Sequence, residues 1–270
     1  MVLELAAGSG SVSHHLASLP HLSSRTSVVF DAAIDALLMT RNGERPVVGG
    51  LRAMPFAKRC AGLLTSQFGV EYAGMASLLE SLDYVAPGGY FAFVLHAENG
   101  VIYRECAMAE SLVSRFLETH FLESAERLLC AILERADDAE RRAATHTFRQ
   151  ALSGAEEILL DAPEGQGRDT LLRVYNVVAD MVETPEAFNL EDVVKWFVST
   201  GAELASYRER LSQMQSAALS EKELLKFTAV ARASGFRILR QGPVMDGSLA
   251  GSSFPVAFHV VGCRAGEATL

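Results

Sequence analysis

Three groups of residues in this sequence have the types and spacing to carry chemistry. The first is the glycine turn of VLELAAGSG, where Gly8 and Gly10 follow the short apolar run Val2–Leu5. A glycine turn between a strand and a helix lets backbone approach a ligand closely, and the helix N-terminus adds a favourable dipole. The second is Asp31, which closes the apolar run Ser27–Phe30 some twenty residues further on. A carboxylate at that distance can accept hydrogen bonds from both hydroxyls of an adenosine ribose. The third group follows later apolar runs: Glu71 and Tyr72 after the fourth run, and His96 at the end of YFAFVLH. Open α/β sheets bind ligands at the carboxyl ends of their strands, and a histidine there suits a general base. His96 and Glu71 are therefore the catalytic candidates. Each group also has a plainer reading: a tight turn, a helix cap, a structural histidine.

The glycine turn and Asp31 fit either a dinucleotide or an S-adenosylmethionine (SAM) site. Ser11, Val12 and Ser13 follow Gly10, so the third glycine of the dinucleotide fingerprint is missing and the nicotinamide reading is weakened. VLELAAGSG resembles motif I of the class I SAM-dependent methyltransferases, and further segments match that family in order. VVFDAAIDALL resembles its acidic motif after the second strand. VVGGLRAMPF and LLTSQFGVEYA resemble the third-strand turn and the fourth strand with its loop. LLESLDYVAPGGYFAFVLH resembles the helix, Pro-Gly-Gly turn and fifth strand. The match is nearest to the small-molecule type and covers the first third of the chain and its last fifty residues.

The resemblance implies roles position by position. Glu4 would orient the turn and, directly or through water, the methionine amine. Backbone around Ala6, Gly8 and Gly10 would hold the methionine portion. Asp31 would bind ribose, Ala32 would line the adenine, and Leu51 and Arg52 would contact it. Ser66, Gln67 and Phe68 would form the floor beside the sulfonium. Gly50 stands where many members carry an Asp for the adenine amino group, and Gly62 replaces the usual Asp of the fourth strand. The family also places helices before its first strand. This sequence opens on that strand, which predicts either a chain lacking those helices or an insertion that does the covering. The expected function is methyl transfer from SAM to an oxygen, nitrogen or carbon of a small molecule. The alternative is a non-catalytic SAM-fold protein that uses its helical insertion to bind partners.

The elements that must position these residues are legible as far as residue 100. Short apolar runs (Val2–Leu5, Ser27–Phe30, Arg45–Val48, Gly62–Ser66, Tyr90–His96) alternate with helical patterns, one running to Leu19, others over Ala32–Thr40 and Gly74–Val85. That alternation predicts a mainly parallel sheet with helices on both faces. From 101 to about 218 strand signal fades and roughly four helices are expected as an insertion, or lid. One begins at Asn189 as N-cap and buries Leu190, Val194, Phe197, Gly201, Leu204 and Leu211. Aromatic residues of the insertion (Phe116, Phe121, Tyr175, Trp196, Phe197) read mostly as core. Ser220 and Glu223 make a capping box, Gly235 stops that helix, and Phe236–Leu239 and Pro255–Cys263 form a hairpin joined by MDGSLAGSS. The expected fold is α/β: a Rossmann-like seven-stranded mixed sheet, last strand antiparallel, with a helical insertion between strands 5 and 6. The boundaries are 1–100 for the SAM-binding core, 101–218 for the insertion and 219–270 for the helix and hairpin that complete the core.

Composition bounds the rest. The 270 residues are 49% hydrophobic, enough for a substantial core, and the net charge of −9 argues against nucleic acid as a partner. Cys60, Cys106, Cys130 and Cys263 are scattered without metal-ligand spacing and read as reduced thiols, so no metal is expected. With no signal peptide and no membrane-length apolar run, the expectation is a soluble cytoplasmic protein with a small-molecule partner and no membrane partner.

Overall fold

The computed structural model describes residues 1–40, 43–245 and 254–266. The chain divides into two compact units, one of residues 1–104 with 214–270, the other of residues 105–213. No helix among the described residues is long and apolar enough to cross a membrane.

The first unit is a seven-stranded sheet in the order β3-β2-β1-β4-β5-β7-β6. Its strands are β1 (Val2–Leu5), β2 (Ser27–Asp31), β3 (Glu44–Val48), β4 (Ala61–Gln67), β5 (Val85–His96), β6 (Phe236–Val244) and β7 (Ala257–Arg264). β1 to β5 pair in parallel, whereas β7 runs antiparallel to both β5 and β6. This is the Rossmann-like seven-stranded mixed sheet that the sequence predicts, with its last strand antiparallel. β1 is buried at every position because it lies inside the sheet, with Val2–Leu5 paired to Ser27–Phe30 on one side and Leu63–Thr65 on the other. An apolar run without alternation is what a parallel strand covered on both faces requires.

Helix α3 (Gly74–Ser81) and helix α9 (Glu221–Ala233) contribute Leu78, Leu224, Phe227 and Ala231 to the main core, beside Leu64, Phe91 and Phe93 of the sheet. α9 starts at the expected capping box: Ser220 Oγ accepts from the Glu223 amide while the Glu223 carboxylate accepts from the Ser220 amide. Gly235, at φ 85°, ends it.

Several elements depart from their expected bounds. Helix α1 (Ser11–Ala17) stops short of Leu19, since Pro20 disfavours helical backbone at the residue before it. Helix α2 keeps only Ile34–Leu37; Leu38 and Met39 are exposed, and further turns would have nothing to pack against. Pro87-Gly88-Gly89 lies within β5 rather than before it. The strand already pairs at Val85 with Ala61, then shifts register before Tyr90 meets Leu63. β6 likewise continues past Leu239 after a register shift between Ile238 and Arg240. Positions 246–253 of MDGSLAGSS lie outside the described residues.

Helices α4 (Val101–Glu118), α5 (Phe121–Leu133), α6 (Asp138–Asp161), α7 (Gln166–Glu183) and α8 (Leu190–Ala217) make up the helical stretch, five where four are expected. The stretch breaks at His120, which takes φ 55° without any Gly or Pro to announce it, and again around Arg135, at φ 57°, between α5 and α6. The second unit has its own core, with Val113, Phe116, Phe121, Leu129, Leu171, Val178 and Phe197 among its buried members. Asn189 caps α8 as expected, its Oδ1 accepting from the Asp192 amide at 2.9 Å. The buried stripe of α8 is Val193, Phe197, Thr200, Leu204, Leu211 and Met214, so Leu190, Val194 and Gly201 lie at its margin rather than in it.

Candidate active site

The carboxyl ends of β1 to β4 surround a cavity of about 540 Å³, a size typical of small-molecule sites. Seven of the expected residues line it: Ala6 and Gly8 after β1, Asp31 and Ala32 at the end of β2, Leu51 and Arg52 after β3, and Phe68 after β4. Gly49, Gly50, Gly69, Tyr72 and Ala73 complete the wall with Phe30. Of these, Tyr72 stands out in the sequence by its place after the fourth apolar run, and Gly50 by replacing an Asp common in the resembled family.

The turn after β1 is built by left-handed backbone at three alternate positions, Ala6 (φ 48°), Gly8 (φ 53°) and Gly10 (φ 76°). Ala6 carries a Cβ in that region, and its neighbour across the cavity wall must be small. A Cβ on Gly69 would sit 2.4 Å from the Ala6 Cβ. Asp31 ties the turn to β2: one carboxylate oxygen accepts the Gly8 amide and the other the Ala33 amide, each at 2.8 Å. A carboxylate has about four acceptor sites, so two remain for hydroxyls at the cavity.

Six expected residues do not line the cavity: Glu4, Gly10, Ser66 and Gln67 of the cofactor set, and the catalytic candidates Glu71 and His96. Glu4 is buried, and its Oε2 accepts the Ser13 amide at 2.7 Å, anchoring the first turn of α1 to β1. Burial raises the Glu4 pKa, opposed by its bonds to that first turn. Gly10 packs beside Val29 and the Glu44 carboxylate. Ser66 is buried, and its Oγ accepts the Val70 amide at 3.1 Å, shaping the turn that carries Phe68. Gln67 is exposed at the end of β4.

Both catalytic candidates meet in one buried pair. Glu71 Oε1 accepts the His96 backbone amide at 3.0 Å and contacts His96 Nδ1 at 2.8 Å. Two donors converge on that oxygen when Nδ1 carries the proton, which leaves Nε2 with the free lone pair. Glu71 Oε2 is buried without a hydrogen-bond partner. The imidazole lies against Phe68, with ring centroids 4.5 Å apart, and Tyr72, at 5.8 Å; both aromatic rings also line the cavity. The Arg104 Nε donates to the Asn99 carbonyl and its guanidinium lies over the Phe254 ring, while His14 and His15 are exposed.

No family model and no curated protein sequence matches this chain. Among solved structures it is similar to a SAM-dependent methyltransferase from Mesorhizobium loti (17% identity, 38% of this chain and 49% of that one, TM-score 0.32). It is also similar to geranyl diphosphate C-methyltransferase from Streptomyces coelicolor A3(2), at 13% identity, 34% of this chain, 37% of that one and TM-score 0.31. The match thus spans half or less of those chains' own length. A longer match, to the plantazolicin methyltransferase BpumL, covers 98% of this chain and 76% of the other at 9% identity and TM-score 0.48.

Proposed function

We propose that this chain is a SAM-dependent methyltransferase for a small-molecule acceptor, with transfer direct and in line. The observation that carries the reading is the convergence of Asp31, the left-handed turn and the aromatic floor on one cavity, with a His–Glu pair behind that floor. Residues and cofactor fit at three points. Asp31 has lone pairs left for two ribose hydroxyls. The turn at Ala6–Gly10 brings backbone to the cavity edge, and Leu51 and Arg52, which line the same cavity, would border the adenine. Gly50 offers no carboxylate to the adenine amino group, so recognition there falls to backbone.

When bound, SAM supplies an activated methyl group on a sulfonium, and the protein's task is chiefly alignment and exclusion of water. Phe68 and Tyr72 supply the apolar wall beside it. His96 takes the proton that an O–H or N–H acceptor releases as the new bond to methyl forms. Glu71 holds the imidazole with Nε2 as the accepting atom. An acceptor that keeps its proton would overload the product with charge, so a base pays off for protic nucleophiles above all. The cytoplasm is the proposed compartment.

Isothermal titration with SAM and with S-adenosylhomocysteine tests the reading. Binding of both, followed by methyl transfer to members of a panel of phenols, alcohols and amines, is the expected result. Failure to bind either ligand overturns it, and binding without turnover on the panel favours the non-catalytic alternative.

A further inference from the structure

The second unit contains a cavity of its own, about 210 Å³, between α4, α8 and the start of α7. At ~30 Å³ per liquid water it has room for about seven, the scale of a small metabolite. Its charged lining is specific. Arg168 reaches it from the first turn of α7, and Nε of that guanidinium is fully buried with no hydrogen-bond partner. No ion pair or hydrogen bond joins the Arg168 side chain to any other described residue. A buried donor left unmade carries its full desolvation cost, so such a group points to something absent from the chain itself. Beside it, α7 starts at Gly165 with no side-chain cap, and Gly165, Gln166 and Gly167 also border the cavity. The first-turn amides are thus a second set of donors at the same place.

A plain anion would satisfy these donors but not the remainder of the lining. Glu105 and Glu164 stand exposed at the rim, without ion pairs among the described residues, and outnumber the one guanidinium. Leu112 and Leu211 form an apolar wall, both buried. The Cys106 thiol adds no charge, since burial pushes its pKa up. Donors inside, carboxylates at the rim and an aliphatic wall complement a ligand with a carboxylate, an ammonium and an apolar side chain.

We propose that this cavity binds a free α-amino acid with an apolar side chain. Its carboxylate lies on Arg168 and the first turn of α7, its ammonium faces Glu105 and Glu164, and its side chain rests on Leu112 and Leu211. The site is separate from the methyl-donor reading and needs no SAM.

The test is calorimetric titration of the full chain with L-leucine, 4-methylpentanoate and 3-methylbutylamine, which share one aliphatic body and differ in charged groups. Leucine binds saturably, and each singly charged analogue binds at least ~10-fold more weakly. Arg168→Gln weakens leucine by at least ~10-fold, and Arg168→Lys, which keeps the charge but loses the planar fork, falls between. Unchanged far-ultraviolet circular dichroism and melting temperature show that either variant is folded. Absence of saturable leucine binding up to about 50 mM overturns the proposal. So does 4-methylpentanoate binding as tightly as leucine, or a folded Arg168→Gln that binds leucine like the parent.

Discussion

Asp31 has two tasks that a single substitution separates from the rest of the site. Its oxygens already hold the Gly8 and Ala33 amides, and the proposed ribose hydroxyls add to those bonds rather than replace them. Hydrogen bonds to a charged group contribute about 1.5–3 kcal/mol each, so losing the two proposed ribose bonds in Asp31→Ala is expected to weaken SAM binding by roughly 10²–10⁴-fold in calorimetry. An affinity equal to the parent's would refute the assignment. His96 and Glu71 differ in kind, because one is to meet the acceptor's proton and the other acts through its neighbour. Removing a general base typically costs about 10²–10⁴-fold in rate, so His96→Ala should lose turnover to that extent while SAM affinity stays put. Glu71→Gln keeps an oxygen for the His96 amide and ring and removes only the charge. Its turnover should fall less than that of His96→Ala, with SAM affinity unchanged. Equal losses in the two variants would remove Glu71's proposed positioning role.

Among the elements, the turn after β1 and the turn after β4 are built against each other, and their coupling is measurable. Gly69→Ala drives a Cβ to within 2.4 Å of the Ala6 Cβ, an overpacking that costs about 1–3 kcal/mol. Ala6→Gly removes the opposing atom and also relieves a left-handed alanine, worth about 1–2 kcal/mol in strain. The double variant should therefore recover much of the loss, with a coupling of about 0.5–3 kcal/mol in a denaturant-melt cycle; simple additivity would show that the two turns do not press on each other. Local pattern is why these elements were readable at all. The apolar runs, Gly8, Gly10, Asp31 and the Ser220–Glu223 box are short-range signals, and each lands where such a signal places it. What pattern does not carry is register and enclosure. The bulges in β5 and β6 move strand ends, and His120 breaks a helix with no breaker residue. The contact that makes Glu71 interesting, a buried bond to His96 across twenty-five positions, depends on β4 lying beside β5. Gly49 and Gly69 were illegible for the same reason: what makes them necessary is a neighbour from another strand.

At the scale of the molecule, each unit has its own core, and the first includes a buried acid whose ionisation opposes its stability. Glu4 is buried in β1, and burial lifts its pKa above the ordinary carboxylate value of 4.5, more than its bonds to α1 lower it. The folded protein therefore holds the Glu4 proton more tightly than the unfolded chain does. Linkage then fixes the sign. The group's contribution to stability is fully present below the unfolded pKa, and it is lost as pH rises from there through the folded pKa. Glu223 runs the other way: bonds from Ser220 hold its pKa down, so its contribution is present above the ordinary carboxylate range and is lost on acidification. Above the Glu4 window the chain holds a buried charge, with the Ser13 amide as partial compensation. Glu4→Gln retains an oxygen for that amide and removes the charge. Its melting temperature should match the parent's near pH 4, below the window, and exceed it at pH 7.5, the gap opening between the two. A gap that is constant with pH, or of opposite sign, would show that Glu4 does not titrate in this window. If Glu4 also reaches the methionine amine of SAM, the same variant binds SAM more weakly at neutral pH while melting higher without it. That opposition, gained stability against lost affinity, is what a carboxylate kept in a core for binding would produce, and a purely structural Glu4 would not show it.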